Sequence, residues 1–303
     1  MCSRPFQEEL KKSVSGSLIF EAPLDKHTSW KVGGPAEVLF IPSSVEDLAK
    51  GIAIACKANI PVTVLGNGTN VLVSDSGIRG LTVKLKALRN IEVTGQRITA
   101  GAGVELPELS RIARQHSLSG LEFGIGIPAS LGGAVVSNAG AHGSCMQDIV
   151  TSVKTMDQQG KVHTFSRQEI CFGYRSSWFQ SQEMIVLEAV MELKSLPESE
   201  IQDKMQHFLE IRRKTQPTGC ATAGSVFVNP PSAPAGYYIE AAGLKGVREG
   251  GAQVSMKHAN FFVNVDHATA GDILRLIRRV QETVYSMFHV QLETEIKLLG
   301  GEP

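Results

Sequence analysis

The sequence predicts an α+β protein organised as two domains, and three observations carry that reading. At 303 residues the chain exceeds the roughly 100–200 residues of an ordinary single domain. Strand-like and helix-like hydrophobic periods follow one another in mixed order. At Leu196-Pro197-Glu198 the strand pattern stops and a polar helix begins. The chain therefore reads as an N-terminal extension over 1–25, a mixed-topology domain over 26–197 with lobes at about 26–85 and 86–197, and a smaller α+β domain over 198–303.

The elements follow in order. Residues 1–17 pattern as a helix with Phe6, Leu10 and Val14 on one face, expected to lie loosely outside the core. Residues 37–41 read as a strand, and Ser43 with Glu46 as a capping box that opens a helix through Lys57. Residues 61–65 read as a buried strand, 71–73 and 81–85 as short strands, and 91–100 as a hairpin turning at Thr94-Gly95. Helical spacing returns over 105–116 (Leu106, Leu109, Ile112, Ala113). Strands are expected at 150–156 and 162–165, around a turn at 157–160, and at 184–193. In the last third, 198–214 is a polar helix. Residues 269–288 form an amphipathic one, with Ile273, Leu274, Ile277, Val280, Val284 and Met287 on one face. Residues 290–298 alternate apolar and polar and are expected to close the chain as a strand.

Composition excludes several classes of function. Lys+Arg and Asp+Glu are both 30, so no net field draws nucleic acid or an anionic membrane surface. The cysteines at 2, 56, 145, 171 and 220 are too scattered for a CxxC metal or redox motif, and too odd in number for a disulfide framework. The charged N-terminus is no signal peptide and no 18-residue apolar run occurs, so a cytoplasmic protein without a membrane segment is expected.

The glycines cluster where chemistry is to be sought. Gly66-Asn67-Gly68-Thr69-Asn70 follows a strand, where backbone N–H groups can converge on an anion. It is not a Walker A loop, because no Gly-Lys-Ser/Thr follows, and it opens into a strand rather than a helix. Residues 120–143 hold seven glycines, too many small side chains for a packed core. Something large must lie against this backbone, either a neighbouring helix or a flat cofactor. Arg175, Ser225 and Glu295 also attract attention. Taken alone, they read as a loop arginine, a turn serine beside Gly224, and a solvated carboxylate on the polar face of the last strand.

Taken together, these segments resemble a known family. The two glycine loops, with Val32-Gly33-Gly34-Pro35-Ala36, resemble the two-lobed FAD-binding domain of the vanillyl-alcohol-oxidase-like (PCMH) type. GNGTN (66–70), GIPASLGGAVVSNAGAHG (126–143), YRSSWF (174–179), AGSVFVNP (223–230), GGAQVSMKHANFFVN (250–264) and ETEIKLLG (293–300) occur in one order across 27–300. On these the chain is similar to the UDP-N-acetylenolpyruvoylglucosamine reductase family, of the shorter type lacking an inserted tyrosine loop. The resemblance implies non-covalent FAD held by Gly66, Asn67, Gly68, Thr69 and Asn70. It extends the cofactor set to Gly126, Ile127, Pro128, Ser130, Gly132, Gly133, Ala134, Asn138, Gly140 and Ala141. It implies NADPH as co-substrate, a UDP-sugar substrate contacted by Tyr174, Lys214 and Asn229, and a smaller substrate-binding domain. Members commonly carry lysine immediately before the Gln-Pro pair; here Thr215 stands there, with Lys214 one residue earlier, and Val228 stands where many have lysine.

The resemblance also implies roles: Ser225 as proton donor, Arg175 and Glu295 as activators of the substrate. The chemistry agrees. Hydride addition to the vinyl carbon of an enol ether bearing a carboxylate pushes negative charge toward that carboxylate, where a fixed guanidinium stabilises it. Glu295 helps only if it holds or shares a proton, which requires burial. Two alternatives stay open: another PCMH-type FAD oxidase of alcohols or lactones, or a non-catalytic flavin- or nucleotide-binding protein. The first often tethers FAD through histidine, absent from 66–70; the second has no use for Arg175, Ser225 and Glu295 together.

Overall fold

The computed structural model describes residues 2–301. Its contacts divide the chain into two compact units, each assembled from separated stretches. Unit one is Met1–Phe20, Val38–Asn67 and Arg79–Ile211; unit two is Glu21–Glu37, Gly68–Ile78 and Arg212–Pro303. The linear division expected at 197/198 differs from this partition for physical reasons. The helix Glu198–Thr215 sends Ile201 and Met205 against Ile125 of unit one. Trp30, Val32 and Leu72, early in the sequence, are buried in the core of unit two.

In unit one, α1 (Arg4–Ser13) is capped by Ser3, whose hydroxyl accepts from Phe6 N–H. Its Phe6 and Leu10 share a core with Phe40, Leu48 and Ile52, so the helix is docked rather than loose. Burying two such side chains favours docking by about 1.5–3 kcal/mol each. β1 (Ser17–Pro23) and β2 (Pro35–Ile41) lead to α2 (Val45–Lys57). The cap of α2 is Ser44 accepting from Asp47 N–H, one residue later than the Ser43–Glu46 box expected. β3 (Val62–Val64) follows, then β4 (Val71–Val73), which belongs to unit two, and β5 (Ile78–Val83); one sheet takes the order β1-β2-β5-β3 with β3 parallel to β5. β6 (Ile91–Thr94) and β7 (Arg97–Gly101) form the expected hairpin. They extend an antiparallel five-stranded sheet with Ile185–Glu192, Val150–Met156 and Val162–Ser166. α3 (Leu106–Gln115) and the short α4 (Leu131–Val136) cover the same core.

Unit two is centred on Trp30, Phe227, Phe262, Leu276 and Val280, with Trp30 Nε1 donating to the Phe262 carbonyl at 2.9 Å. The helix Ala270–Phe288 opens with a Thr269/Asp272 capping box. Its first N–H groups, those of Ala270 and Gly271, also donate to the Asp75 carboxylate. Its buried face is Ile273, Leu276, Ile277, Val280 and Val284. Met287, expected on that face, is exposed because it lies in the last turn, where the chain leaves through a left-handed His289. The closing strand is also shorter than expected. Only Lys297–Leu299 is regular, and it runs parallel to β4. Leu298 is exposed whereas Leu292 and Ile296 are buried. The alternation breaks because the segment pairs first with 226–228 and then with 71–73. Among the described residues no helix is long and apolar enough to cross a membrane.

One buried carboxylate fixes the entry to this fold. Asp47 accepts from the N–H groups of Ser15 (2.7 Å), Gly16 (2.8 Å) and Ser43 (2.9 Å). Burial alone would raise its carboxyl, but these bonds and the Ser43 hydroxyl outweigh it and hold the group below its usual range. Its contribution is therefore complete above the unfolded carboxyl value of about 3.9 and lost as pH falls through the lower folded value. Asp47→Ala should lower stability in urea denaturation at pH 7 by about 3 kcal/mol, and the gap to the wild type should close at low pH. A gap that persists undiminished at pH 2 would assign the loss to packing.

Candidate functional site

The two glycine loops meet in unit one. Asn67 Nδ2 donates to the Pro128 carbonyl at 3.2 Å, and a Cβ on Gly66 would lie 2.8 Å from Ser130 Oγ. Ser130 caps α4 by accepting from Gly133 N–H. The adjacent pair Gly132-Gly133 divides its work. A Cβ on Gly132 would press on Ala102 at 3.0 Å, which is helix packing. A Cβ on Gly133, exposed, would meet only Ser130 Oγ among the described residues. Beside it Ile127, Pro128 and Ala129 leave apolar surface partly open. A bare backbone bordered by apolar side chains fits a flat cofactor with a diphosphate, so the residues present suit FAD.

Other members of the expected cofactor set have structural work. Gly68, in unit two, sits at φ +69° with a would-be Cβ 2.2 Å from the His27 carbonyl; its lack of a side chain serves the turn. Asn70 Nδ2 donates to the Glu295 carbonyl at 3.3 Å, and its own carbonyl accepts from Lys297 N–H. Asn138 is buried and its amide bonds within unit one at both ends.

Arg175 lies at the tip of a two-residue loop. Gly173 and Ser176 exchange both backbone hydrogen bonds across Tyr174-Arg175. Arg175 takes φ +54°, a left-handed conformation that a long side chain adopts at a cost of order 1 kcal/mol or more. Its Nη2 donates to the Gly140 carbonyl at 2.8 Å, its carbonyl accepts from Gln180 Nε2 at 3.0 Å, and the guanidinium lies 5.3 Å from the Tyr174 ring centre. The cation is thus half-buried and aimed at the glycine loop.

Ser225 and Glu295 belong to one main-chain ladder in unit two. Ser225 bridges Phe261, and Val226 N–H donates to the Asn260 carbonyl at 2.8 Å. On the other side Glu295 N–H donates to the Val226 carbonyl at 2.8 Å, and Val228 N–H to Glu293 at 2.9 Å. Glu295 is half-buried rather than solvent-facing. The middle of the ladder is locked by Asn260, whose amide accepts from Phe227 N–H (2.9 Å) and donates to the Phe227 carbonyl (2.8 Å). Sequence reasoning assigned Asn260 no role; the signal was an asparagine inside the apolar run that ends at Asn264.

The expected substrate contacts are more peripheral. Tyr174 and Lys214 are exposed. Asn229 Oδ1 accepts from Ala235 N–H and so opens the helix Ala235–Ala241. Two residues before Lys214, Arg212 is half-buried, and burial lowers its guanidinium from the ordinary value.

Residues 36–166 match a model of an FAD binding domain, and 216–299 match one of the C-terminal domain of UDP-N-acetylenolpyruvoylglucosamine reductase. Among curated relatives, the reductase of that name from Caldanaerobacter subterraneus is 46% identical over 294 residues, covering 97% of each chain. Its namesake from Halalkalibacterium halodurans is 42% identical, covering 97% of this chain and 98% of that one. The crystal structure of the Thermus caldophilus reductase superposes with a TM-score of 0.81 at 36% identity, over 94% of this chain and 99% of that one. Wild-type Phl p 4.0202, a glucose dehydrogenase, shares the fold alone, with a TM-score of 0.52 at 13% identity, over 95% of this chain and 64% of that one. An FAD-binding domain followed by this C-terminal domain, with relatives of one name along nearly the whole length, means that the chain belongs to the UDP-N-acetylenolpyruvoylglucosamine reductase family.

Proposed function

We propose that this protein reduces the enolpyruvyl group of UDP-N-acetylglucosamine enolpyruvate with NADPH to give UDP-N-acetylmuramate for peptidoglycan synthesis, an oxidoreductase reaction at a CH–CH group. The observation that carries the reading is the match along 97% of both chains to a reductase of that name. Bound FAD supplies the hydride chemistry and separates the two half-reactions. The protein would hold it through Gly66 and Asn67 and the open backbone around Gly133, all in unit one. NADPH and UDP-sugars are cytoplasmic compounds, and the cytoplasm is where we place the enzyme.

The chain's own groups handle charge and protons. Arg175, with Gly140 and Gln180 fixing its fork and backbone, offers a permanent cation to the substrate carboxylate as charge builds there. Ser225 Oγ gives its proton to the carbon next to that carboxylate. A hydroxyl is a weak acid, but the carbanion it meets is a strong base, and solvent restores the proton. Glu295, half-buried on the ladder that carries Ser225, acts as a protonated partner that stabilises the developing charge. Tyr174, Lys214 and Asn229 are assigned to the UDP-sugar.

Two outcomes test this. In anaerobic stopped-flow, NADPH should bleach the flavin band, and the enolpyruvyl substrate should restore it as UDP-N-acetylmuramate forms. Ser225→Ala should keep the bleaching near the wild-type rate and slow the recovery by about a thousandfold or more. Equal slowing of both phases would make Ser225 structural, and no recovery in the wild type would refute the reaction.

The second outcome separates the glycines. Gly133→Val should fold, with a melting temperature near that of the wild type, yet lose most of its FAD. Gly68→Val should lose folded protein itself, because its Cβ has nowhere to go. Stoichiometric FAD in Gly133→Val would remove that backbone from the cofactor site.

A further inference from the structure

We infer that Asn138 is a positioning residue for Arg175, fastening the arginine turn to the end of α4, rather than a ligand of the cofactor. The inference rests on the reading of Arg175 given above.

The main chain at Asn138 closes α4 with a standard helix stop. Ser137 is the last half-helical residue; Asn138 N–H donates to the Val135 carbonyl (3.2 Å) and Ala139 N–H to that of Ala134 (2.8 Å), with Asn138 left-handed at φ +45°. Glycine is the usual residue at this position, because it enters the left-handed region without strain. Here an asparagine takes it, and its side chain spans two segments. Nδ2 donates to the Gly173 carbonyl at 2.8 Å, and Oδ1 accepts from Gln147 N–H at 2.9 Å. The residue is 3% exposed, so these bonds form without competition from water.

Gly173 is the base of the Tyr174-Arg175 loop. Its carbonyl already accepts from Ser176 N–H across the loop; the Asn138 amide is the bond that ties this carbonyl to another part of unit one. The loop holds a strained Arg175, so it does not keep its shape by local preference. The ties around it run to neighbouring stretches: Ser177 Oγ donates to the Val136 carbonyl at 2.7 Å, and Arg175 Nη2 to that of Gly140. All three ties end between residues 136 and 140. The stretch that finishes the glycine-rich helix is therefore also the platform on which the arginine stands. Asn138 is the member of that platform whose side chain does the holding.

Asn138→Gly isolates the amide, because glycine preserves the left-handed helix stop. In the FAD-loaded enzyme it should retain one FAD per chain, and NADPH should reduce the flavin within about twofold of the wild-type rate. Reoxidation by substrate should slow by about a hundredfold, the scale of a small misplacement of a charge-stabilising group. Trypsin reads the clamp without catalysis: cleavage after Arg175 should speed up about tenfold as the loop opens locally, with cleavage elsewhere unchanged. Loss of FAD would return Asn138 to the cofactor site and overturn the inference. Equal slowing of both half-reactions, or wild-type trypsin resistance after Arg175, would overturn it too. Arg175→Ala reports on the underlying reading alone. If that variant is reoxidised at the wild-type rate, Arg175 leaves the reaction, while the trypsin result still decides whether Asn138 holds the loop.

Discussion

Asn260 lends its side-chain amide to the main chain of Phe227, accepting from the N–H and donating to the carbonyl, and the chemistry proposed for unit two depends on that pair of bonds. The stretch Ser225–Val228 has no long strand to keep it in place; on each side its partner is one isolated bridge, to Phe261 and to Thr294, with a few main-chain bonds. A buried amide that mimics a strand neighbour supplies the missing pairing. It also fixes register, because Val226 N–H bonds to the carbonyl of Asn260 itself. With register set, Glu295 is bound through its N–H to the residue next to Ser225. Asn70 then pins the same glutamate from behind by donating to its carbonyl. A one-residue slip would move each side chain of the stretch to the opposite face.

Asparagines recur as staples in both units. Asn67 joins one glycine loop to the other, Asn138 joins the end of α4 to the arginine turn, and Asn264 donates to the Trp30 carbonyl while accepting from Ala268 N–H. Irregular backbone cannot satisfy its polar groups through regular ladders. A short side chain with a donor and an acceptor solves this locally. Glycines complement them by leaving room: at Gly68 the His27 carbonyl fills it, whereas at Gly133 a Cβ would meet only Ser130 Oγ among the described residues.

Much of this was legible in the sequence where periodicity is strong. The strand Val150–Met156 and the helices around Gln115, Lys57 and Phe288 lie close to the expected bounds. The resemblance is what singles out Arg175, Ser225 and Glu295 as candidates, since local pattern alone reads them as a loop cation, a turn hydroxyl and a surface carboxylate. Three features were not legible, each because it depends on partners distant in sequence. The interleaving of the units follows from long-range burial of Trp30 and Leu72, which no local window contains. The last strand alternates in sequence but changes partner halfway, so alternation mistook two short pairings for one long one. The asparagine staples look like ordinary loop polarity until their partners, 35 positions away for Asn138 and Gly173, are known.

The claim at the centre is that Ser225 and Glu295, held in register by one ladder, work on the same developing charge. A double-mutant cycle in the oxidative half-reaction measures it, with Ser225→Ala, Glu295→Gln and the double variant compared with the wild type. If the two residues act as a unit, the double variant should be reoxidised about as slowly as the slower single one, well short of the product of the two losses. Losses that multiply would mean that the residues act independently and that their shared ladder is only scaffolding.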